Sequence, residues 1–303
     1  MSPRVICMGE AMGEIAATPA GFAVGVGGDT FNTAVYLARA GVDCAFASAV
    51  GPDPFGQMIR ARLIEEGIDD ALLFDSDRET GLYAITTRDG ERSFHYWRDH
   101  AAARHLLRDH AGPLAAAIPQ AGVLYLSGIT AWVLGAEAGA LLALLEAARA
   151  AGVMIVFDGN YRPRLWAGQE DRARDLFRRI GALSDLLLPT AEDEALLWGD
   201  AGPEQSLDRL SGGSAARIVL KIGAQGALLR QDGRTRHIPV PVPVTPLDTT
   251  AAGDSFNAAC LAALLAGAPP EDAVLAGHAL AARVIGCPGA LLPRPVPRRA
   301  GHG

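Results

Sequence analysis

The chain has 303 residues, 50% of them hydrophobic and 20% charged, with a formal net charge of −7. That length suits one large α/β domain or a domain with an appendage. The acidic balance argues against general nucleic-acid binding and against docking on an anionic membrane surface. No apolar run approaches membrane-spanning length, and Met1-Ser2-Pro3-Arg4 leads straight into a strand-like run without a secretory signal, so a cytoplasmic protein is expected. Cys7, Cys44, Cys260 and Cys287 are scattered and form no CxxC pair, which reads as free thiols in a reducing compartment rather than a zinc site.

Val5–Met8 reads as a buried strand ending at Gly9-Glu10. Residues 13–26 are thin in core-forming side chains and suggest exposed strands away from the main core. Gly27-Gly28-Asp29-Thr30-Phe31-Asn32 then opens a helix with Phe31, Ala34, Val35 and Ala38 on its apolar side. Paired glycines before a helix allow a ligand to approach the backbone, but the pattern is not the Gly-x-Gly-x-x-Gly of dinucleotide binding. Asp29 and Asn32 suit a polyhydroxylated ligand; Asp29 as a plain helix cap is the competing reading. Cys44–Val50 is a second buried strand, and Gly51-Pro52-Asp53-Pro54 turns into a helix running to Gly67.

The β-prone runs 81–87 and 93–98, joined through Asp89-Gly90, predict a hairpin rich in Tyr, Trp and Arg that acts as a lid. From Val123 the chain alternates strands and helices. Strands are expected at Val123–Ser127, Met154–Asp158, 186–189 and Arg217–Lys221, and helices at 136–151, 171–180 and Ala191–Trp198. Such alternation means an α/β fold with a mostly parallel sheet covered on both faces. A hairpin around Asp232-Gly233 adds an edge, and residues 293–303, rich in Pro and Arg, are expected to be disordered. Ligands gather beyond the carboxyl ends of the strands in such sheets.

The stretch Asp248-Thr249-Thr250-Ala251-Ala252-Gly253-Asp254 precedes an apolar run, 256–265, that reads as a buried helix. Its first turn would present free N–H groups and the positive end of the helix dipole, unobstructed at Ala252 and Gly253, so the loop suits a phosphate. Asp254 is then either a cap or a carboxylate that accepts a proton from an attacking hydroxyl. Arg98 and Arg162 offer planar forks for an anionic group, with ordinary ion pairing as their alternative. Lys221-Ile222-Gly223-Ala224-Gln225-Gly226 leaves a strand with two glycines and suits a nucleotide or a plain turn. No P-loop and no Gly-x-Ser-x-Gly elbow is present. His95, His100, His105 and His110 recur every five residues, which scatters them around a helix and makes solvated side chains the default.

Gly27-Gly28-Asp29-Thr30-Phe31-Asn32-Thr33-Ala34 and Asp248-Thr249-Thr250-Ala251-Ala252-Gly253-Asp254 resemble the N-terminal sugar-binding and C-terminal catalytic motifs of PfkB-type, ribokinase-like sugar kinases. The resemblance covers the chain to about Pro293. Within the family it narrows toward 2-keto-3-deoxygluconate kinases through Gly81-Leu82-Tyr83, Phe94-His95-Tyr96-Trp97-Arg98, Leu126-Ser127-Gly128-Ile129 and the run from Asn160-Tyr161-Arg162 to Trp166. It implies a single ribokinase-like domain over 1–303, a three-layer sandwich with a β lid from about 11–26 and 81–98.

The resemblance also implies ATP-dependent phosphorylation of a sugar acid's terminal hydroxyl, with Asp254 as general base. The amides of Ala251, Ala252 and Gly253 would stabilise the transferring group. Gly28, Asp29, Asn32, Tyr83, Tyr96 and Ile129 would hold the sugar, Arg98 and Arg162 its carboxylate, and Asn160, Arg162, Lys221, Gly223 and Gly226 the nucleotide. Where many relatives carry Asn-x-x-Glu near the magnesium, this chain has Thr190 and Asp193, flanked by Glu192 and Glu194. Asp193 or Glu192 would assist Mg2+, through water. The carbonyls near Asp248 and Thr250 would take a monovalent cation such as K+. A homo-oligomer is expected from the aromatic hairpin. The alternatives are a fructokinase or another ketose or pentose kinase of the same family, and an idle sugar- and nucleotide-binding regulator on the same scaffold.

Overall fold

In a computed structural model, the structure describes residues 3–18, 21–88, 91–213 and 215–294, with the backbone alone at 87, 88, 91, 92 and 94. β1 (Val5–Met8) is wholly buried, and the chain then leaves the core for the antiparallel pair β2 (Met12–Thr18) and β3 (Gly21–Gly27). It returns as α1 (Asp29–Arg39), β4 (Cys44–Val50), α2 (Pro54–Glu66) and β5 (Leu73–Asp75). β6 (Leu82–Arg88) and β7 (Glu91–Trp97) form the second excursion, followed by α3 (Leu106–Ala117).

Then come β8 (Val123–Ser127), α4 (Gly128–Val133), α5 (Ala138–Ala150), β9 (Met154–Asp158) and α6 (Glu170–Leu183). β10 (Leu186–Leu187), α7 (Ala191–Trp198), α8 (Pro203–Leu210) and β11 (Arg217–Lys221) follow. β12 (Ala227–Gln231), β13 (Arg234–Ile238), α9 (Ala252–Leu265) and α10 (Pro270–Ile285) close the fold.

Nine strands make one sheet in the order β13-β12-β11-β10-β9-β8-β1-β4-β5, parallel except for the antiparallel edge from β11 to β13. Successive residues of a strand face opposite sides. Accordingly Ile6 and Met8 join the core under α3, α5 and α6, while Val5 and Cys7 join the core under α1, α2, α9 and α10. Both faces are buried, so the strands read as continuous apolar runs. α9 lies between α1 and α10, which explains why it is apolar nearly all round.

The second sheet, β3-β2-β6-β7, is separate from the first. Its register puts Tyr83 opposite Tyr96 and beside Glu14, so these three share one face. The Asp89-Gly90 turn lies outside the described residues, as do residues 295–303 of the expected tail.

Three expectations change. The strand expected at 186–189 is only Leu186–Leu187, because Pro189 has no N–H to continue a ladder. The helices α3, α4 and α8 were not read from the sequence; α3 carries Pro113 and breaks its helical geometry at His110. His110 is not merely solvated, since its ring stacks on Phe74 at 4.2 Å. Cys7, Cys44 and Cys260 are buried free thiols, while Cys287 is half-buried. Among the described residues, no helix is long and apolar enough to cross a membrane.

Candidate active site

The order of the sheet reverses at β1, whose parallel neighbours are β4 on one side and β8 on the other. A crevice opens beyond the carboxyl ends of strands at such a point. Glu10 follows β1, Ser127 ends β8, Asp158 ends β9 and Lys221 ends β11, so the sheet itself delivers these side chains to one rim.

The first turn of α9 meets that rim. Ala251 precedes the helix in the left-handed region, at φ 58°, a conformation that costs a non-glycine residue about 1–2 kcal/mol. Among the described residues no side chain caps this end, and Asp254 is the third residue of the helix. The cap reading of Asp254 therefore fails, and its carboxylate is committed elsewhere. Asn32 Nδ2 donates to Asp254 Oδ2 at 2.8 Å, across 222 residues of sequence. Burial, then the nearby Asp29 carboxylate, pushes Asp254 from the ordinary 3.8 up to about 8.

Of the amides expected to meet a phosphoryl group, that of Ala252 already donates to Thr249 O at 3.2 Å. The N–H groups of Gly253 and Asp254 have no carbonyl acceptor among the described residues, as the geometry of a helix start requires. Of the expected amides, that of Ala252 is thus already engaged, while those of Ala251 and Gly253, with Asp254 next to them, stay open among the described residues.

Asp29 is not a cap either. Gly28 holds that position, and a side chain at Gly28 would strike Glu10 O, 2.2 Å from the Cβ position, so close packing on Glu10 requires the glycine. The Asp29 Oδ2 atom accepts from Ser127 Oγ and from Asn160 Nδ2, the latter at 2.9 Å. Burial raises the Asp29 pKa, against the lowering effect of these bonds. Asn160, itself at φ 32°, is thereby tied to Asp29. Tyr83 Oη bonds Glu14, and its ring lies 6.0 Å from that of Tyr96. Ile129, in α4, is half-buried against the core.

The two arginines differ. Arg98 is buried, with Nη2 2.6 Å from Glu10 Oε2, and lies over the Trp132 ring at 4.8 Å and that of Tyr96 at 5.4 Å. Its pairing is ionic and off the hydrogen-bonding directions, since Arg98 Nε and both Glu10 oxygens lack a hydrogen-bond partner among the described residues. Arg162 is exposed. Its positive charge lowers the pKa of Asp254, Asp193 and Tyr96, which places it on the same rim.

On the other side, Lys221 Nζ donates to Asp158 Oδ1 at 3.2 Å and to Asn257 Oδ1 at 2.9 Å, and lies 3.8 Å from where a Cβ at Gly253 would be. Gly223 turns the chain at φ 60°. At Gly226, φ is 110° and a Cβ would stand 2.2 Å from Ile238 O. That glycine is explained by the turn into β12 without any ligand.

Asp193 is half-buried, and burial lifts it to about 6 despite the opposing charges of Arg162 and Lys221. Glu192 is exposed, and Glu194 points to Arg209 at 2.6 Å. Asp248 clamps the loop: Oδ1 accepts from Thr250 N and Oγ1 at 3.0 and 2.7 Å, and Oδ2 from Gly289 N at 2.7 Å. Among the described residues, no group of three His, Cys, Asp or Glu side chains forms a metal cage. Glu10, Glu14, Tyr125 and Asn257 were not singled out from sequence. Asn257 alone left a signal, as an amide inside an otherwise apolar helix.

A buried carboxylate beside open helix amides, at the carboxyl ends of a parallel sheet and near a second, smaller sheet, is the arrangement of an enzyme that moves a phosphoryl group onto a hydroxyl. Residues 3–297 match the pfkB family carbohydrate kinase, and the chain belongs to that family. It is 38% identical to a 2-dehydro-3-deoxygluconokinase of Dickeya dadantii, over 96% of this chain and 97% of that protein. Identity to the Escherichia coli K12 protein of the same name is 37%, over 97% and 98%. A PfkB protein from Polaromonas sp. JS666 has a solved structure similar to this one, with a TM-score of 0.83 at 28% identity over 94% of this chain and 96% of that one.

Proposed function

We propose that this enzyme is a 2-keto-3-deoxygluconate kinase, transferring the γ-phosphate of ATP to the terminal hydroxyl of the sugar acid to give the 6-phosphate. The observation that carries the substrate is Arg162. It is an exposed guanidinium with no ion pair among the described residues, on the rim that holds Asp254. A neutral sugar leaves it nothing to bind, whereas a sugar acid brings a carboxylate that must be neutralised as water is excluded. Arg98, already facing Glu10, adds a directional Nε–H.

In this reading Asp29, Asn32, Tyr83 and Tyr96 hold the sugar, and Gly28 and Ile129 shape the wall behind it. Asp254, oriented by Asn32, takes the proton of the attacking hydroxyl. The Gly253 and Asp254 amides and Lys221 meet the transferring group, and the turn at Gly223 borders the nucleotide. ATP supplies the phosphoryl group, and Mg2+ supplies charge neutralisation on its phosphates. Asp193 is the carboxylate that would meet the metal, through water; the exposed Glu192 is the poorer candidate. A monovalent cation would lie against the carbonyls of Asp248 and Thr250, in the loop clamped by the Asp248 side chain.

The test is a coupled ADP-release assay on 2-keto-3-deoxygluconate, its galacto epimer, fructose and ribose. The sugar acid should be turned over with the highest kcat/KM, and faster turnover of fructose would overturn the reading. Replacing Arg162 with Ala should raise KM for the sugar acid by about 10- to 100-fold, the value of a charged hydrogen-bonded contact, and leave KM for a neutral sugar nearly unchanged.

A further inference from the structure

The apolar run of α9 contains one amide, Asn257, and it is fully buried. It stands three residues beyond Asp254, on the same face of the helix. Its oxygen accepts from Lys221 Nζ at 2.9 Å and its nitrogen donates to Tyr125 Oη at 3.0 Å. An ammonium can only donate, so the amide oxygen must face Lys221 and the amide nitrogen must face the phenol. Tyr125, fully buried in β8, faces Thr33 Oγ1 at 3.4 Å, and Thr33 also bonds Asp29 O at 3.0 Å. The orientation of Asn257 is therefore set from the sugar-side helix, through hydroxyls that water does not reach.

What that orientation holds is the ammonium. Lys221 has two acceptors, Asp158 Oδ1 at 3.2 Å and Asn257 Oδ1 at 2.9 Å. Asp158 alone, being charged, would draw the ammonium toward β9. Asn257, neutral and on α9, pulls it to the side where the Gly253 Cβ position lies 3.8 Å away. A neutral acceptor does this without cancelling the positive charge.

We infer that Asn257 is a positioning residue for phosphoryl transfer: it holds Lys221 beside the free amides of the first turn of α9. The inference rests on the phosphotransferase reading of that turn, and not on which sugar is the acceptor. Loss of such an orienting partner costs activity by roughly 10- to 100-fold.

The test is a double-mutant cycle in kcat with Asn257→Ala, Lys221→Ala and the pair, run on whichever sugar the wild type phosphorylates fastest. Asn257→Ala should lower kcat by about 10- to 100-fold and leave KM for the sugar within a few-fold. The double variant should be no slower than Lys221→Ala alone, because Asn257 acts only through that lysine. Additive losses, or a Lys221→Ala enzyme with full kcat, would overturn the inference. Asn257→Asp separates positioning from packing. It keeps size and an acceptor toward Lys221 but adds a second carboxylate beside that of Asp158 and loses the donor to Tyr125, so its kcat, read well below its own thermal midpoint, should fall; a kcat equal to wild type would overturn the inference. If the wild type prefers a neutral sugar, the substrate assignment fails while the cycle still decides the role of Asn257.

Discussion

Asp254 joins three facts that a cap would not need: a seat three residues into the helix, a hydrogen bond from Asn32, and a pKa lifted to about 8 by burial and by Asp29. A base works in its ionised form, which is populated above its pKa. kcat/KM should therefore rise about tenfold per pH unit below about 8 and level off above it. Asp254→Asn should lower kcat by about 10²- to 10⁴-fold while calorimetry still detects sugar-acid binding, and retained turnover would sink the base assignment. The same shift bears on stability. Between 3.8 and about 8 the folded state holds this proton more tightly than the unfolded chain, so the stabilising contribution of Asp254 is lost as pH rises through that window. The thermal midpoint of Asp254→Asn should gain on the wild type from pH 5 to pH 9.

α9 brings a helix start and a nearly wholly apolar body to the same place, and the two serve different ends. The body is gripped by α1 and α10, which fixes where the first turn points; the first turn leaves the Gly253 and Asp254 amides without an acceptor among the described residues. Gly253 separates fold from function. A methyl there would meet only Lys221 Nζ, at an ordinary 3.8 Å, so the fold has room for it. Ala in place of Gly in a helix stabilises by roughly 0.5–1 kcal/mol. Gly253→Ala should keep or raise the thermal midpoint while cutting kcat by about tenfold or more, because the methyl occupies the approach of the phosphoryl group. A variant with full kcat would show that the phosphoryl group lies elsewhere.

At the scale of the whole molecule the second sheet has two unlike faces. Glu14, Tyr83 and Tyr96 share the face that bears on the site, and the opposite face carries Phe22, Val24 and Trp97 at 71, 55 and 58% exposure. Phe22 and Val24 stand on one edge of that face and Trp97 on the other; apolar side chains so exposed mark an association surface, and a second copy of the chain is the expected occupant. Sedimentation should give a dimer or higher, and Val24→Lys should shift it toward the monomer. A monomeric wild type would remove the expectation.

Much of this was legible without coordinates, because it depends on near neighbours in sequence. Strand–helix alternation from Val123 requires a two-sided parallel sheet, and the small residues before an apolar helix require an open helix start. Length and charge bounded the class, and two motifs 222 residues apart, seen in Asn32 and Asp254, carried the family resemblance. What sequence could not separate were readings with the same local signature. Asp29 and Asp254 each look like caps until the cap positions prove to be Gly28 and Ala251. Arg98 and Arg162 both follow an aromatic residue, yet only one faces a buried glutamate. Asp193 and Glu194 are adjacent, yet Glu194 pairs with Arg209 while Asp193 lies in the field of Arg162. A hydrogen bond or an ion pair is a relation between elements distant along the chain. The sequence determined which groups were available; the packing of α1 and α9 on the sheet decided which of them meet, and so which carboxylate is free to take a proton.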